Sequence, residues 1–297
     1  MIRQISESSD KAATGNHRMK TRKRIALSVT YFFMCLFALF FIFPFLYMVL
    51  TSFMTEKEVT TLPVRLFPTS FYLGAYKASL SPQLFRYLLN TIIVLAVNLV
   101  AVPLASVFCA YGFTKVQFQG RNLIFAVLLS TMMLPAAVTQ IPLYIMYVGL
   151  GWLNTLLPLT VPAVFGGGIV NIFLCKQYMR GLPNAMNEAA RIDGANHFQI
   201  FINLIVPLCM PVVVLILVNT FLSCWNDFMG PLIFLRSEKV WTLAVGIYMQ
   251  FKGDYNVNNY PNIQMATSTL LSIPGIILFF IFQNQLMEGV VMGSVKG

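Results

Sequence analysis

Glu188-Ala189-Ala190-Arg191-Ile192-Asp193-Gly194-Ala195, followed nine positions on by Leu204-Ile205-Val206-Pro207, is the most polar long stretch in the second half of this 297-residue chain. It lies between two apolar runs, each long enough to cross a bilayer. Pro183 suits the first turn of a helix, where its missing N–H needs no partner. Asn184 to Ile192 then supplies good helix formers, with Glu188 and Arg191 three positions apart on one face. Asp193-Gly194 signals a turn, because glycine readily adopts positive φ. A second helix is predicted from about Ala195 into Val206, before Pro207 opens the next apolar run. The product is a helix–turn–helix elbow at a membrane surface. Ala189 and Ala190 keep one side of its first helix thin, so another protein could close around it. A lipid-binding connector would present Lys or Arg opposite large apolar side chains. Two adjacent alanines, a Glu and an Asp at the apex favour protein docking instead.

The solvent for most of the chain is lipid. Residues are 58% hydrophobic and 10% charged, against about 25% charged in a soluble domain, and mean hydropathy is +0.74. The net charge of +10 does not imply nucleic acid. The cations sit at the ends of apolar runs, without a basic face or interleaved aromatics. Cys35, Cys109, Cys175, Cys209 and Cys224 lie in or beside apolar runs with no C-x-x-C pair, so they read as small membrane hydrophobes with neither a disulfide framework nor a metal role. His17 and His197 are the only histidines. No nucleophile has a base nearby, and Glu188 and Asp193 sit on a solvent-facing loop beside Arg191. No catalytic residue and no metal ligand is assigned.

A membrane helix needs about 20 mostly apolar residues, and six stretches qualify: about 25–50, 89–111, 123–148, 155–175, 205–226 and 265–286. Pro44 predicts a kink near one face in the first. Pro135, Pro142, Pro158 and Pro162 interrupt the third and fourth, whose connector, Gly149 to Asn154, suits a tight hairpin. The alternation of an outer-membrane barrel is missing. Arg3, Lys11, Arg18, Lys20, Arg22, Lys23 and Arg24 place the N-terminus in the cytoplasm. The 112–122 loop, the 176–204 loop and the C-terminus then lie inside, and thirteen cations face in against seven out. Residues 1–24 read as a disordered anchoring tail, and the first span is too long for a signal-peptide core. The long outside loops, about 51–88 and 227–264, carry Tyr72, Tyr76, Trp241, Tyr248, Tyr255 and Tyr260. These rings form an interfacial belt or receive a partner from outside.

Glu188-Ala189-Ala190, Gly194 and Leu204-x-Val206-Pro207 resemble the "EAA loop" of ATP-binding-cassette importer permeases. Ile192-Asp193-Gly194-Ala195, Trp225-Asn226-Asp227-Phe228, Ile141-Pro142-Leu143-Tyr144 and the terminal Gly293-Ser294-Val295-Lys296-Gly297 look like its carbohydrate branch, and in particular like the maltose-type inner-membrane permeases. The resemblance covers nearly the whole chain from about Tyr31. It implies an all-α polytopic membrane protein of six transmembrane helices, with the type I importer permease fold and a cytoplasmic coupling helix. Residues 1–24 would be a cytoplasmic tail and 25–297 the permease domain, with the coupling loop at about 181–207 and a C-terminal cytoplasmic tail at 287–297. Glu188, Ala189, Ala190, Arg191, Asp193, Gly194 and Ala195 would couple to an ATPase, and Val295, Lys296 and Gly297 would approach it.

The same resemblance implies a bacterial inner-membrane location, a second homologous permease forming a heterodimer, two cytoplasmic ATP-binding subunits, an extracytoplasmic solute-binding protein and a sugar substrate. The chain contains no Gly-x-x-x-x-Gly-Lys-Ser/Thr loop. Gly166-Gly167-Gly168, inside an apolar span, reads as a close-packing or flexible point. ATP and Mg would therefore sit on the partners, this chain would bind no cofactor, and it is not read as an enzyme. Polar residues within the spans include Asn90, Asn98, Thr131, Gln140, Asn171, Asn219, Ser223 and Asn226. Each suits interhelical hydrogen bonding. Asn219, Ser223, Trp225 and Asn226 are the candidates for a substrate pathway. No carboxylate or cation lies deep in a span, which favours a neutral solute over an ion. Alternatives are a permease for another solute, such as glycerol phosphate, or a secondary sugar transporter. The second would show ionisable midplane residues and inverted repeats. Deleting the last six residues is expected to lower transport-coupled ATPase activity, and unchanged coupling would mark that end as a frayed terminus.

Overall fold

The computed structural model describes the backbone of residues 2–63, 65–252 and 261–294, and within these the side chains of 25–63, 65–135, 137–252 and 261–284. Regular structure among the described residues is entirely helical. Helix α1 (Ile2–Ser52) runs unbroken through Pro44. Its first turns replace the disordered tail expected for 1–24, because no proline precedes Pro44 and the apolar run supplies a helical nucleus to extend from. Short helices α2 (Glu56–Thr60) and α3 (Gly74–Ser79) lead to α4 (Pro82–Lys115). The Ser81 hydroxyl accepts the Leu84 N–H at 3.2 Å, and Pro82 fits the first helical position, so α4 begins seven residues before the predicted boundary.

The third span is broken. Helix α5 (Arg121–Ser130) and a 3-10 turn at Thr131–Met133 meet α6 (Ala136–Gly149) at Pro135, and the two arms are bent by 105°. Helices α7 (Leu157–Val164) and α8 (Ile169–Arg180) follow. Gly167 between them has φ +64°, and a Cβ there would lie 2.3 Å from the Ser106 hydroxyl and 2.4 Å from the Val102 carbonyl. It is a close-packing point. Helix α8 reaches Arg180, so Lys176, expected in the following loop, is a buried helical residue.

Next come α9 (Asn184–Ile192), α10 (His197–Ile200), a π-helical turn at Phe201–Ile205, α11 (Val206–Leu208) and α12 (Met210–Trp225). The segments on either side of Cys209 are bent by 74°, so the break falls two residues after the predicted Pro207. Helices α13 (Met229–Phe234), α14 (Leu243–Lys252) and α15 (Pro261–Ser294) complete the chain. Among the described residues four helices are long and apolar enough to cross a membrane, and counting each bent pair as one span gives six.

Two compact units are distinguished. The first comprises residues 1–77 with 260–269. Side chains 25–46 of α1 are all exposed, as befits a lipid-facing helix. Asn262 donates to the Met54 carbonyl at 3.0 Å. The Glu58 carboxylate accepts the Thr55 N–H (2.7 Å), the Thr55 hydroxyl (2.9 Å), the Thr69 N–H (2.8 Å) and the Thr69 hydroxyl, closing the 55–69 segment on itself.

The second unit comprises 78–259 with 270–297. Helix α4 is its axis and packs on α7, α8, α12 and α14. Ala110, Cys175, Met179, Cys209 and Ile216 are fully buried in one cluster, and Leu84, Tyr87, Leu243 and Ile247 form another. Polar side chains fix the register. Asn90 donates to the Lys239 and Trp241 carbonyls (3.0 and 2.9 Å), Thr91 accepts the Leu243 N–H (2.8 Å), and Asn98 donates to the Leu159 carbonyl (2.9 Å). Such a bond contributes about 0.6–2 kcal/mol, whereas an orphaned polar group in hydrocarbon costs several. Misregister is therefore penalised more than correct register is rewarded.

The hydrogen bonds from Thr69 and Thr55 hold the Glu58 carboxyl at about 2, below its ordinary 4.5. A depressed carboxyl stabilises the fold above its ordinary value, and that contribution is lost as pH falls from about 4.5 through about 2. The Glu58→Gln variant is expected to exchange its Thr55 and Thr69 amides faster at neutral pH. The wild type should match it only in acid, with rates corrected for intrinsic exchange.

Candidate functional site

The elbow is built from backbone hydrogen bonds that the sequence specifies. Helix α9 ends with the Gly194 N–H donating to the Arg191 carbonyl and the Ala195 N–H to the Ala190 carbonyl, both at 3.0 Å. That paired closure needs a left-handed residue after the last turn, and Gly194 supplies it with φ +86°. Asn196 restarts the chain as a helix. Its side chain accepts the Gln199 N–H, and the Gln199 side chain accepts the Asn196 N–H, each at 2.9 Å.

Two side chains of α4 hold this elbow. The Lys115 ammonium donates to the Leu182 carbonyl (3.3 Å) and to Asn184 Oδ1 (2.9 Å), at the entry to α9. The Tyr111 hydroxyl lies 3.2 Å from His197 Nδ1, at the start of α10. The Arg191 guanidinium meets His197 Nε2 at 3.5 Å. It does not pair with Glu188, as the shared face had suggested. Tyr111 and His197 were absent from the predicted site. Only the spacing from Asn196, which makes His197 the first residue of a capped helix, could have drawn attention to it.

The two alanines differ in burial. Ala190 packs half-buried against the core, while Ala189 is exposed between Met186 and Ile192, each three residues from it and also exposed. Ile192 is 86% exposed at the apex and Phe198 is 66% exposed. The elbow therefore offers apolar side chains around a thin alanine, flanked by the exposed Glu188, Arg191 and Asp193. A polar hollow of about 200 Å³ lies behind it, lined in part by Tyr111, Asn187, Glu188 and Arg191.

A second space, with a mixed lining that carries no charge, lies among α4, α8 and α12. It measures about 490 Å³ and is lined by Asn98, Val102, Gly167, Val170, Asn171, Asn219, Thr220, Leu222, Ser223 and Cys224. Asn98 and Asn171 spend their amide nitrogens on backbone carbonyls. The Thr220 hydroxyl is buried and has no hydrogen-bond partner among the described residues. The cavity unites Asn219 and Ser223 of the predicted pathway. Trp225 and Asn226 are not among its lining residues: Trp225 donates its indole N–H to the Leu271 carbonyl at 3.1 Å and stacks on Phe221, and Asn226 donates to Leu222. Asp227, beyond the span, accepts the Gly230 N–H at 3.1 Å, and burial holds its carboxyl above the ordinary range. Val295, Lys296 and Gly297 lie outside the described residues. No group of three or more metal-ligating side chains occurs among the described residues.

The family described as "Binding-protein-dependent transport system inner membrane component" matches residues 102–290. The arabinooligosaccharides transport system permease protein AraQ of Bacillus subtilis is 31% identical over 92% of this chain and 96% of its own length. The inner membrane ABC transporter permease protein YcjP of Escherichia coli is 30% identical over 94% of this chain and 100% of its own. Among solved structures, a bacterial ABC transporter involved in the import of the acidic polysaccharide alginate contains a chain that superposes with a TM-score of 0.79 at 27% identity. The match covers 88% of this chain and 96% of that one.

A Cβ on Gly194 would meet nothing within 4 Å, so the cost of substitution there is conformational, about 1–2 kcal/mol for an L residue held left-handed. Gly194→Val should lose uptake while inserting normally, Gly194→Ala should be intermediate, and Gly194→Asn, which tolerates positive φ, should stay close to wild type. Wild-type uptake by the valine variant would separate the turn from function.

Proposed function

The chain belongs to the family of binding-protein-dependent transport system inner membrane components, and on that footing we propose that it forms one half of the membrane pore of an ATP-driven importer of neutral oligosaccharides. A second, homologous permease completes the pore as a heterodimer. Two cytoplasmic ATPase subunits carry ATP and Mg, and an extracytoplasmic binding protein delivers the sugar. The chain lies in the bacterial inner membrane with both termini in the cytoplasm, and it performs no catalysis itself.

The uncharged cavity carries the substrate class. It offers amides and hydroxyls, and no Asp, Glu, Lys, Arg or His. Its volume lies within the roughly 300–1,000 Å³ of small-molecule sites. Oligosaccharides are the named cargo of AraQ. An acidic polysaccharide, the cargo of the solved relative, or a glycerol phosphate would call for cations along the lining.

The elbow carries the mechanism. Met186, Ala189 and Ile192 would seat in a cleft of one ATPase, and closure of the ATPase pair would move α9. The ties of Asn184 on α9 to Lys115 and of His197 on α10 to Tyr111 pass that movement to α4, and the two permeases rock as rigid bodies. ATP, sugar and loaded binding protein must each prefer one state, since a ligand shifts an equilibrium only by its differential affinity.

In proteoliposomes holding the whole transporter, uptake of a neutral oligosaccharide should be abolished by vanadate. The Asn219→Leu/Ser223→Ala variant should raise the KM for uptake by roughly 10–30-fold, the equivalent of two hydrogen bonds at about 1 kcal/mol each, with the complex intact. Vanadate-resistant uptake would remove the ATPase from the mechanism. An unchanged KM would move the substrate path elsewhere.

A further inference from the structure

Three cations gather at one end of the second unit without an anion. Lys176 on α8 is 3% exposed, and its ammonium sits 3.2 Å from the centroid of the Phe125 ring and 5.7 Å from that of Phe113. Arg121 precedes Phe125 by four residues on α5, and Arg180 follows Lys176 by four on α8. Each arginine therefore shares a helix face with the pair in contact. The C-terminal end of α4 ties the two together: Arg121 donates to the Val116 carbonyl at 3.2 Å, and Lys115 reaches the Leu182 carbonyl, two residues beyond Arg180, at 3.3 Å.

Among the described residues no carboxylate pairs with this cluster. No Asp or Glu occurs between Glu58 and Glu188, and Lys176 has no hydrogen-bond partner among the described residues. The C-terminal ends of α4 and α8 each offer about half a negative charge, and the N-terminus of α5 at Arg121 adds about half a positive one, so most of the positive charge stays unbalanced. The aromatic rings attract a cation through their quadrupoles but carry no net charge. A buried ammonium without a counterion is unfavourable, so the cluster calls for an anion from outside.

We propose that Arg121, Lys176 and Arg180 form a binding site for the phosphodiester of an anionic phospholipid, in the leaflet from which α9 emerges. The half-buried Arg121 and exposed Arg180 would clasp the phosphate oxygens, with Lys176 as a charged floor. The cluster also sets the headgroup. A glycerol headgroup leaves the phosphate's negative charge uncompensated, whereas an amine headgroup brings an ammonium against three cations. Phosphatidylglycerol is therefore favoured over phosphatidylethanolamine, and the site is independent of the transported solute.

The test uses the whole transporter in nanodiscs of phosphatidylethanolamine with and without phosphatidylglycerol, and counts retained phospholipid by native mass spectrometry. The wild type should retain phosphatidylglycerol selectively. Arg121→Gln/Arg180→Gln should lower retention about tenfold or more. Arg121→Lys/Arg180→Lys should keep most of it, which separates loss of charge from loss of fold. Lys239→Gln, outside the cluster, should change nothing. Equal retention of the two lipids, or retention by the double glutamine variant, would overturn the site. So would displacement of the lipid by millimolar inorganic phosphate, which would mark a site for free phosphate, or an equal loss in Lys239→Gln, which would mark a response to total charge.

Discussion

Hydrocarbon accepts no hydrogen bonds, so every polar group that α4 carries into the membrane must find its partner inside the protein. Asn90 is satisfied by the carbonyls of Lys239 and Trp241, Thr91 by the first N–H of α14, and Asn98 by a carbonyl of α7. These are three separate elements, and a slip of α4 by one residue would break its bonds to all three together, leaving Thr91 and Asn98 only their bonds to the Tyr87 and Val94 carbonyls of α4 itself. The helix is thereby held in one register. Asn98 lines the uncharged cavity, and thirteen residues on, about 20 Å along the axis, Tyr111 begins the attachment of the elbow. One fixed rod thus joins the two candidate sites.

The chain makes a second connection between them. Helix α12 carries Asn219 and Ser223 on the cavity, and its N-terminal end meets the elbow segment across the 74° bend at Cys209. The bend is not a free joint. Cys209 is fully buried in the cluster that also holds Ala110, Cys175 and Ile216, and well-packed interiors shift between discrete arrangements more readily than they deform. The π-helical turn at Phe201–Ile205 lies on the elbow side of this pivot, with Phe201 against Phe108 and Tyr111 at 5.6 and 5.4 Å. A displacement of α9 in the proposed mechanism therefore reaches the cavity by two routes, through α4 and through α12, and both begin at residues that contact Tyr111.

Hydropathy makes the spans legible because lipid imposes a length and a composition on each one. Chain punctuation makes the elbow legible, since Asp193-Gly194 can close a helix in few ways. What escaped depends on three-dimensional neighbours. Pro135 marks a break, but not one of 105°. Pro207 drew attention from Cys209, two residues later, where the axis turns. Trp225 is a pathway candidate by residue type alone, and its N–H bond to the Leu271 carbonyl has no signal in the sequence. Ala189 and Ala190 read as one thin side, yet a 100° step between neighbours sends one to solvent and the other to the core. Lys176 reads as a loop cation because charge is expected to end a span, and only the ring of Phe125 beneath it explains why α8 continues.

The distribution of charge follows from the cost of placing it. A lysine, arginine or aspartate at the centre of a membrane helix costs about 2.5–3.5 kcal/mol on insertion scales, while amides and hydroxyls can be satisfied by nearby carbonyls. A path for an uncharged, hydroxyl-rich solute needs only the cheaper groups, and the cavity contains only those. The cations are displaced to the ends, where each has a reason to be. Lys115 closes onto α9, and Arg121, Lys176 and Arg180 surround the end of α4. The same economy that leaves the middle neutral concentrates positive charge beside the elbow, so the membrane's own anions and the proposed coupling surface act at one level of the protein.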